Sequence, residues 1–132
     1  MPRKKSPTLT DLQLAVMEVL WERGAATVRE VHDALQYERK LAYTTVSTVL
    51  TRLKADAVVT SKREGKTYRF SARVTRQEAT ELSIDKVVDD WFDGSWTSLV
   101  AHMAEGGAHS LSDLRKARDL IDEATAKAER EE

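Results

Sequence analysis

The chain has 132 residues, 41% hydrophobic and 33% charged, with a formal net charge of −1, the size of one domain with a small appendage and a modest core. It contains no cysteine, which excludes disulfides, thiolate metal sites and cysteine nucleophiles together and is in keeping with a cytoplasmic protein. No apolar run reaches the length of a membrane span and no signal-peptide pattern opens the chain, so no membrane insertion is expected.

The near-neutral total hides two opposed halves. Residues 1–75 carry 14 Lys and Arg against 8 Asp and Glu, a net of +6, whereas residues 76–132 carry 7 against 14, a net of −7. Within residues 39–73, nine basic residues stand against only Asp56 and Glu64. A basic half suits a polyanion, and an acidic half is repelled by one. The chain is therefore expected to bind with one end and to do something else with the other.

In chain order, Met1-Pro2-Arg3-Lys4-Lys5-Ser6-Pro7 is basic with no apolar stretch behind it, and residues 1–8 read as a flexible basic arm. Thr10 with Gln13 three residues on forms a capping box, opening a helix with an apolar stripe of Leu12, Val16, Val19 and Leu20. Gly24, after Arg23, suits its stop. Thr27 with Glu30 makes a second capping box for a short helix carrying Val28, Val31, Ala34 and Leu35. A third helix follows, weakly capped by Ala42, with Val46, Val49, Leu50 and Leu53 at i, i+3, i+4 and i+7.

The other face of that third helix holds Thr44, Ser47, Thr48, Thr51 and Arg52: short hydroxyls and one guanidinium, with no carboxylate. Such a face suits a major groove. Hydroxyls reach phosphates or base edges, threonine methyls meet thymine methyls, and arginine can bind guanine in bidentate fashion. Tyr43, Thr44, Thr45, Thr48 and Arg52 are the candidate base-reading residues of a double-stranded DNA site. The free N–H groups at the helix start favour a phosphate.

Residues 58–63 and 66–71 read as two strands, with Glu64-Gly65 supplying the turn. Tyr68 and Phe70 alternate with Thr67, Arg69 and Ser71, giving one inward face and one polar, basic face. Lys62, Arg63, Lys66 and Arg69 on this hairpin, with Arg39 and Lys40 before the third helix, are the candidate contacts to the DNA backbone. Three helices followed by a hairpin is the order of a winged helix-turn-helix domain, here residues 9–73. The fold class expected is mostly α with a small β-hairpin.

Residues 74–132 have a different character. Thr75 and Glu78 form a third capping box, and Ile84, Val87, Val88 and Trp91 lie on one side of the helix it opens. Gly94-Ser95 breaks that helix. Trp96, Leu99, Val100 and Met103 repeat the helical pattern before Gly106-Gly107 interrupts it again. Ser110 caps a last helix whose Leu114, Ala117, Ile121, Ala124 and Ala128 step like a coiled-coil seam. Three short amphipathic helices make a poor separate globule, so their apolar faces are expected to meet across a homodimer. The interface candidates are Val88, Trp91, Trp96, Leu99, Val100, Met103, Leu114, Ala117 and Ile121. The alternative is that these helices fold back on the winged helix of the same chain.

Catalytic chemistry finds no support. His32, His102 and His109 are scattered, without metal-ligand spacing. Asp89, Asp90 and Asp93 before Gly94 do not make a calcium loop, because Trp91 occupies a ligand position and Val100 stands where the closing glutamate belongs. No glycine-rich phosphate loop or nucleophile elbow is present. The expectation is no enzyme, no cofactor and no metal.

Several co-ordered stretches carry a family resemblance. They are Leu9-Thr10-Asp11-Leu12-Gln13-Leu14-Ala15-Val16-Met17-Glu18-Val19-Leu20-Trp21, Thr27-Val28-Arg29-Glu30-Val31, and Ala42-Tyr43-Thr44-Thr45-Val46-Ser47-Thr48-Val49-Leu50-Thr51-Arg52-Leu53. After the hairpin come Phe92-Asp93-Gly94-Ser95, Ser98-Leu99-Val100 and Leu114-Arg115-Lys116-Ala117-Arg118-Asp119-Leu120-Ile121. Over roughly Leu9 to Glu123 the chain resembles the penicillinase-repressor family of bacterial winged-helix regulators, the BlaI and MecI group with its copper-responsive relatives. The resemblance implies a homodimeric repressor on an inverted-repeat operator, the third helix reading bases and the C-terminal helices dimerising. In antibiotic-responsive members a membrane sensor's signal ends in proteolysis of the repressor, at an Asn-Phe pair that falls on His102-Met103 here. The copper-responsive relatives bind metal through C-terminal cysteines, which this chain lacks. A different class of function, a winged-helix protein-interaction module without sequence-specific DNA binding, also accommodates the charge asymmetry. It leaves the hydroxyl-and-arginine face without a purpose, since a protein interface favours aromatic or aliphatic anchors there.

Overall fold

The structure is a computed structural model describing residues 8–107 and 109–132. Of the basic arm expected at residues 1–8, only Thr8 is among them. The elements run α1 (Asp11–Arg23), β1 (Ala26–Thr27), α2 (Val28–Leu35), α3 (Tyr43–Ala55), β2 (Val59–Glu64), β3 (Thr67–Ala72), α4 (Arg76–Trp91), α5 (Trp96–Glu105) and α6 (Leu111–Glu131). The chain divides after Lys86 into two compact units, the second being Val87–Glu132.

Local chemistry sets the element ends in the first unit. Both predicted capping boxes at its start form reciprocally: Thr10 with Gln13 opens α1, and Thr27 with Glu30 opens α2. Each satisfies two backbone groups that a helix start leaves unpaired. Gly24 ends α1 at φ +84°, its N–H donating to the Leu20 carbonyl, a conformation that favours glycine. Thr75 and Glu78 close the third box, before α4. α3 starts without a side-chain cap at Ala42. It ends in a Schellman motif, in which the Val58 N–H donates to the Leu53 carbonyl and the Ala57 N–H to that of Lys54. Ala57 sits at φ +61° in the place glycine usually takes.

The sheet is antiparallel in the order β1-β3-β2. Its two-residue β1 is an element that the sequence patterns did not reveal. Ala26 and Thr27 pair with Phe70 and Arg69, and this puts β3 in the middle. The wing turn is Gly65-Lys66, one residue later than the predicted Glu64-Gly65, because Glu64 pairs with Thr67. Gly65 has φ +63°, as the first central residue of a II′-type hairpin turn requires. One face of the hairpin carries Val59, Ser61, Arg63, Tyr68, Phe70 and Ala72; the other carries Thr60, Lys62, Glu64, Thr67, Arg69 and Ser71.

The core of the first unit joins these elements. Val16, Met17 and Leu20 of α1 meet Val31 of α2, Val46, Leu50 and Leu53 of α3, Val59 of β2 and Phe70 of β3. Fully burying one such side chain stabilises by about 1.5–3 kcal/mol relative to leaving it exposed. Met17 completes the α1 face where the predicted stripe had Leu12, which is only partly buried. Val49 likewise packs at the edge of the core. The Trp21 indole N–H donates to the Val74 carbonyl at 2.9 Å. Arg76 stacks over the Trp21 ring at 4.9 Å and bonds both carboxylate oxygens of Glu18.

In the second unit, Ser95 and Ser110 cap α5 and α6 by accepting the N–H groups of Ser98 and Asp113. The expected breaks at Gly94-Ser95 and Gly106-Gly107 separate these helices. No residue of α5 or α6 is buried.

Candidate nucleic-acid interface

α3 is amphipathic in the sense the sequence predicts. Val46, Leu50 and Leu53 anchor it in the core, while Tyr43, Thr44, Thr45, Thr48 and Arg52 are exposed. The Thr48 hydroxyl donates to the Thr44 carbonyl and that of Thr51 to Ser47, both at 2.9 Å. Their donors are occupied, and the oxygens stay available as acceptors. Arg52 donates through Nε to the Asp56 carboxylate at 3.0 Å, with its side chain 71% exposed. That pairing leaves the terminal nitrogens of the guanidinium for another partner.

α2 holds the start of α3 in place. His32 Nε2 donates to the Leu41 carbonyl at 2.8 Å, and the Gln36 amide donates to the same oxygen. A carbonyl only accepts, so Nε2 carries the proton. The His32 ring meets Tyr43 edge-on, with centroids 5.9 Å apart. Arg39 and Lys40 are exposed on the loop so fixed, beside Tyr37 at 97% exposure. His32 thus ties α2 to the start of α3.

Lys62, Arg63 and Lys66 are exposed on the wing, and the Arg63 Nε donates to the Gly65 carbonyl within the turn. Arg69, the fourth wing residue singled out from the sequence, is engaged with two carboxylates, Glu64 and Glu30. The Thr27 backbone N–H and then Arg69 hold the Glu30 carboxyl below its usual range. Bonding to Glu64 first, and to Glu30, raises the Arg69 guanidinium above its own. Lys54, absent from the sequence candidates, places its ammonium over the Tyr68 ring at 5.6 Å and so ties the end of α3 to the wing. The residues making these ties are 14 and 39 positions apart, beyond the reach of any local pattern.

Among the dimer candidates Val88 is buried, while Trp91, Trp96 and Met103 are exposed. Val100, Met103, Leu114, Ala117 and Ile121 line one open apolar groove of the second unit. His102 and Met103 lie in α5 with both side chains exposed, and the His102 ring tilts against Phe92 at 5.7 Å. Among the described residues no cluster could hold a metal ion, and no helix is long and apolar enough to cross a membrane.

A helix buried on one side and acid-free on the other, followed by a basic antiparallel wing, defines a winged helix-turn-helix DNA-binding protein. Residues 9–123 match the penicillinase repressor family. The chain is 39% identical over 116 residues to the transcriptional regulator BlaI of Mycobacterium tuberculosis, across 86% of this chain and 84% of that protein. It is 22% identical to the penicillinase repressor of Bacillus licheniformis, across 91% and 94%. The solution structure of the DNA-binding domain of the repressor BlaI aligns with a TM-score of 0.51 at 25% identity, over 58% of this chain and 93% of that one. The chain belongs to the penicillinase repressor family. It is a DNA-binding transcriptional repressor and not an enzyme.

Proposed function

We propose that the chain represses transcription as a homodimer on an inverted-repeat operator, with α3 in the major groove and the wing along the backbone. The observation that carries this reading is the exposed face of α3, where Tyr43, Thr44, Thr45, Thr48 and Arg52 stand together without a carboxylate in the helix. In this reading those residues contact bases, and Arg39, Lys40, Lys62, Arg63 and Lys66 contact phosphates. Residues 9–73 form the binding domain and residues 74–132 join two copies through the apolar residues that α4, α5 and α6 expose. Two linked half-site binders gain affinity through effective concentration. Loosening the C-terminal helices therefore releases DNA without touching α3. A cut at His102-Met103 has this effect only if α5 first unwinds, because that bond lies within the helix.

The test is binding of the full-length chain to its own upstream DNA and to random DNA at two salt concentrations, with light scattering on the free protein. Selective, salt-dependent binding by a dimer supports the reading. Equal affinity for both DNAs leaves an operator elsewhere in the genome or the protein-interaction alternative, and a monomer removes the dimer from the reading. Lys66→Ala should weaken binding to both DNAs alike and flatten the log–log salt slope by about one.

A further inference from the structure

Arg69 differs from every other basic residue of the wing. It lies on the central strand, across from Thr27 of β1 and directly opposite Lys62 of β2. Like charges at opposed positions repel, and here two carboxylates intervene. Arg69 donates through Nε to Glu64 on the same hairpin face, and through Nη1 to Glu30 at 2.8 Å. Glu30 is not part of the hairpin. It is the N3 residue of α2, and the same Oε1 accepts the Thr27 N–H in the capping box. One carboxylate thus closes a helix start and holds the middle strand of the wing. The Arg69 side chain is 35% exposed, about half the value for Arg52.

We infer that Arg69 is a positioning residue for DNA binding: it bridges Glu30 and Glu64 instead of meeting a phosphate, and so fixes the wing against the N-terminus of α2. The inference rests on the DNA-binding reading above. A two-stranded ribbon is marginal by itself, and β1 adds only two residues to its side. The planar guanidinium offers donors on two edges in a fixed geometry, which an ammonium does not. The bridge holds the hairpin that carries Lys62, Arg63 and Lys66 in one orientation, which reduces the ordering required on binding.

Simple electrostatics and positioning predict opposite signs for Glu30→Gln. Glutamine at N3 still serves a capping box, and the change removes a negative charge near the DNA. If Arg69 were a phosphate contact restrained by its carboxylates, Glu30→Gln would tighten operator binding and steepen the salt slope. Positioning predicts binding about two- to fivefold weaker, the range of an exposed ion pair. Arg69→Ala in the full-length chain should weaken operator binding with the salt slope unchanged, whereas Lys62→Ala should lower the slope by about one. On the free protein, hydrogen exchange of the β2–β3 amides should quicken in both the Arg69 and Glu30 variants while α1 keeps its protection. This readout needs no DNA, so it separates failure of the inference from failure of the DNA-binding reading. Tighter binding by Glu30→Gln, a slope about one lower in Arg69→Ala, or unchanged wing exchange in both variants overturns it.

Discussion

In α1, α2 and α3 one apolar face of each helix meets the others in a shared core. Val16, Met17, Leu20, Val46 and Leu50 are wholly removed from solvent within a single chain. In Val87–Glu132 the helical periodicity is as regular, yet Trp91 is 79% and Trp96 60% exposed, and α5 and α6 bury no residue. Equal amphipathicity therefore leads to two outcomes. In the first unit three helices and a sheet surround a core, whereas α5 and α6 leave their apolar faces uncovered. What remains open is available to a second copy. The charge division runs the same way, with the basic part in the self-contained unit and the acidic part where the apolar faces are bare.

Ending the chain after Lys86 separates the two units most directly. The shortened protein should stay folded yet bind an inverted-repeat operator about 10²–10⁴-fold more weakly, the loss expected when two half-sites are no longer joined. Full affinity in a filter-binding titration would remove the dimerising role from residues 87–132. Leu50→Ala addresses the first unit alone. Its side chain is fully buried, so urea denaturation should show a loss of about 2–5 kcal/mol. Trp96→Ala in the second unit should leave secondary structure intact while weakening the proposed dimer by about 2 kcal/mol or more, as a central aromatic anchor does. An unchanged monomer–dimer equilibrium in sedimentation would exclude Trp96 from the interface.

Smaller effects are expected inside the first unit. Arg52→Ala should reduce specific binding by about 1–3 kcal/mol and random-DNA binding by less. An equal loss on both DNAs, measured by fluorescence anisotropy, would make Arg52 a backbone contact. Smallest is the effect at Glu18, whose carboxyl the Arg76 guanidinium holds below its usual range. A carboxylate lowered in this way stabilises the fold fully above the ordinary carboxylate range, and the contribution fades as pH falls through the lowered value. Glu18→Gln should therefore lower Tm slightly at neutral pH, with the difference closing in acid. A difference constant with pH would assign the effect to packing on Arg76 and Trp21.

Much of the fold was legible because it rests on short-range chemistry. Thr10-Gln13, Thr27-Glu30 and Thr75-Glu78 announce helix starts through three-residue reciprocity, and all three boxes form. Gly24, Ser95 and Ser110 mark ends and starts for equally local reasons. The face of α3 is a matter of helical period, and its buried and exposed sides fall as that period requires. Local pattern was silent on β1, since two residues carry no alternation, and one residue off on the wing turn, where pairing of Glu64 with Thr67 decided the register.

The order of elements, the acid-free helix and the family can all be read along the chain, because caps, periods and co-ordered motifs act within a few residues. Long-range pairing settles which of the wing's charges is tied down. Lys62 and Lys66 keep open surface and Arg52 meets Asp56 four residues on, whereas Arg69 is drawn to Glu30, 39 positions away, once β1 brings the start of α2 beside the central strand. The physical reason is one of reach. Helix caps and periodicity are satisfied along the chain, while the pairing of charges depends on which strands and helices come to lie side by side.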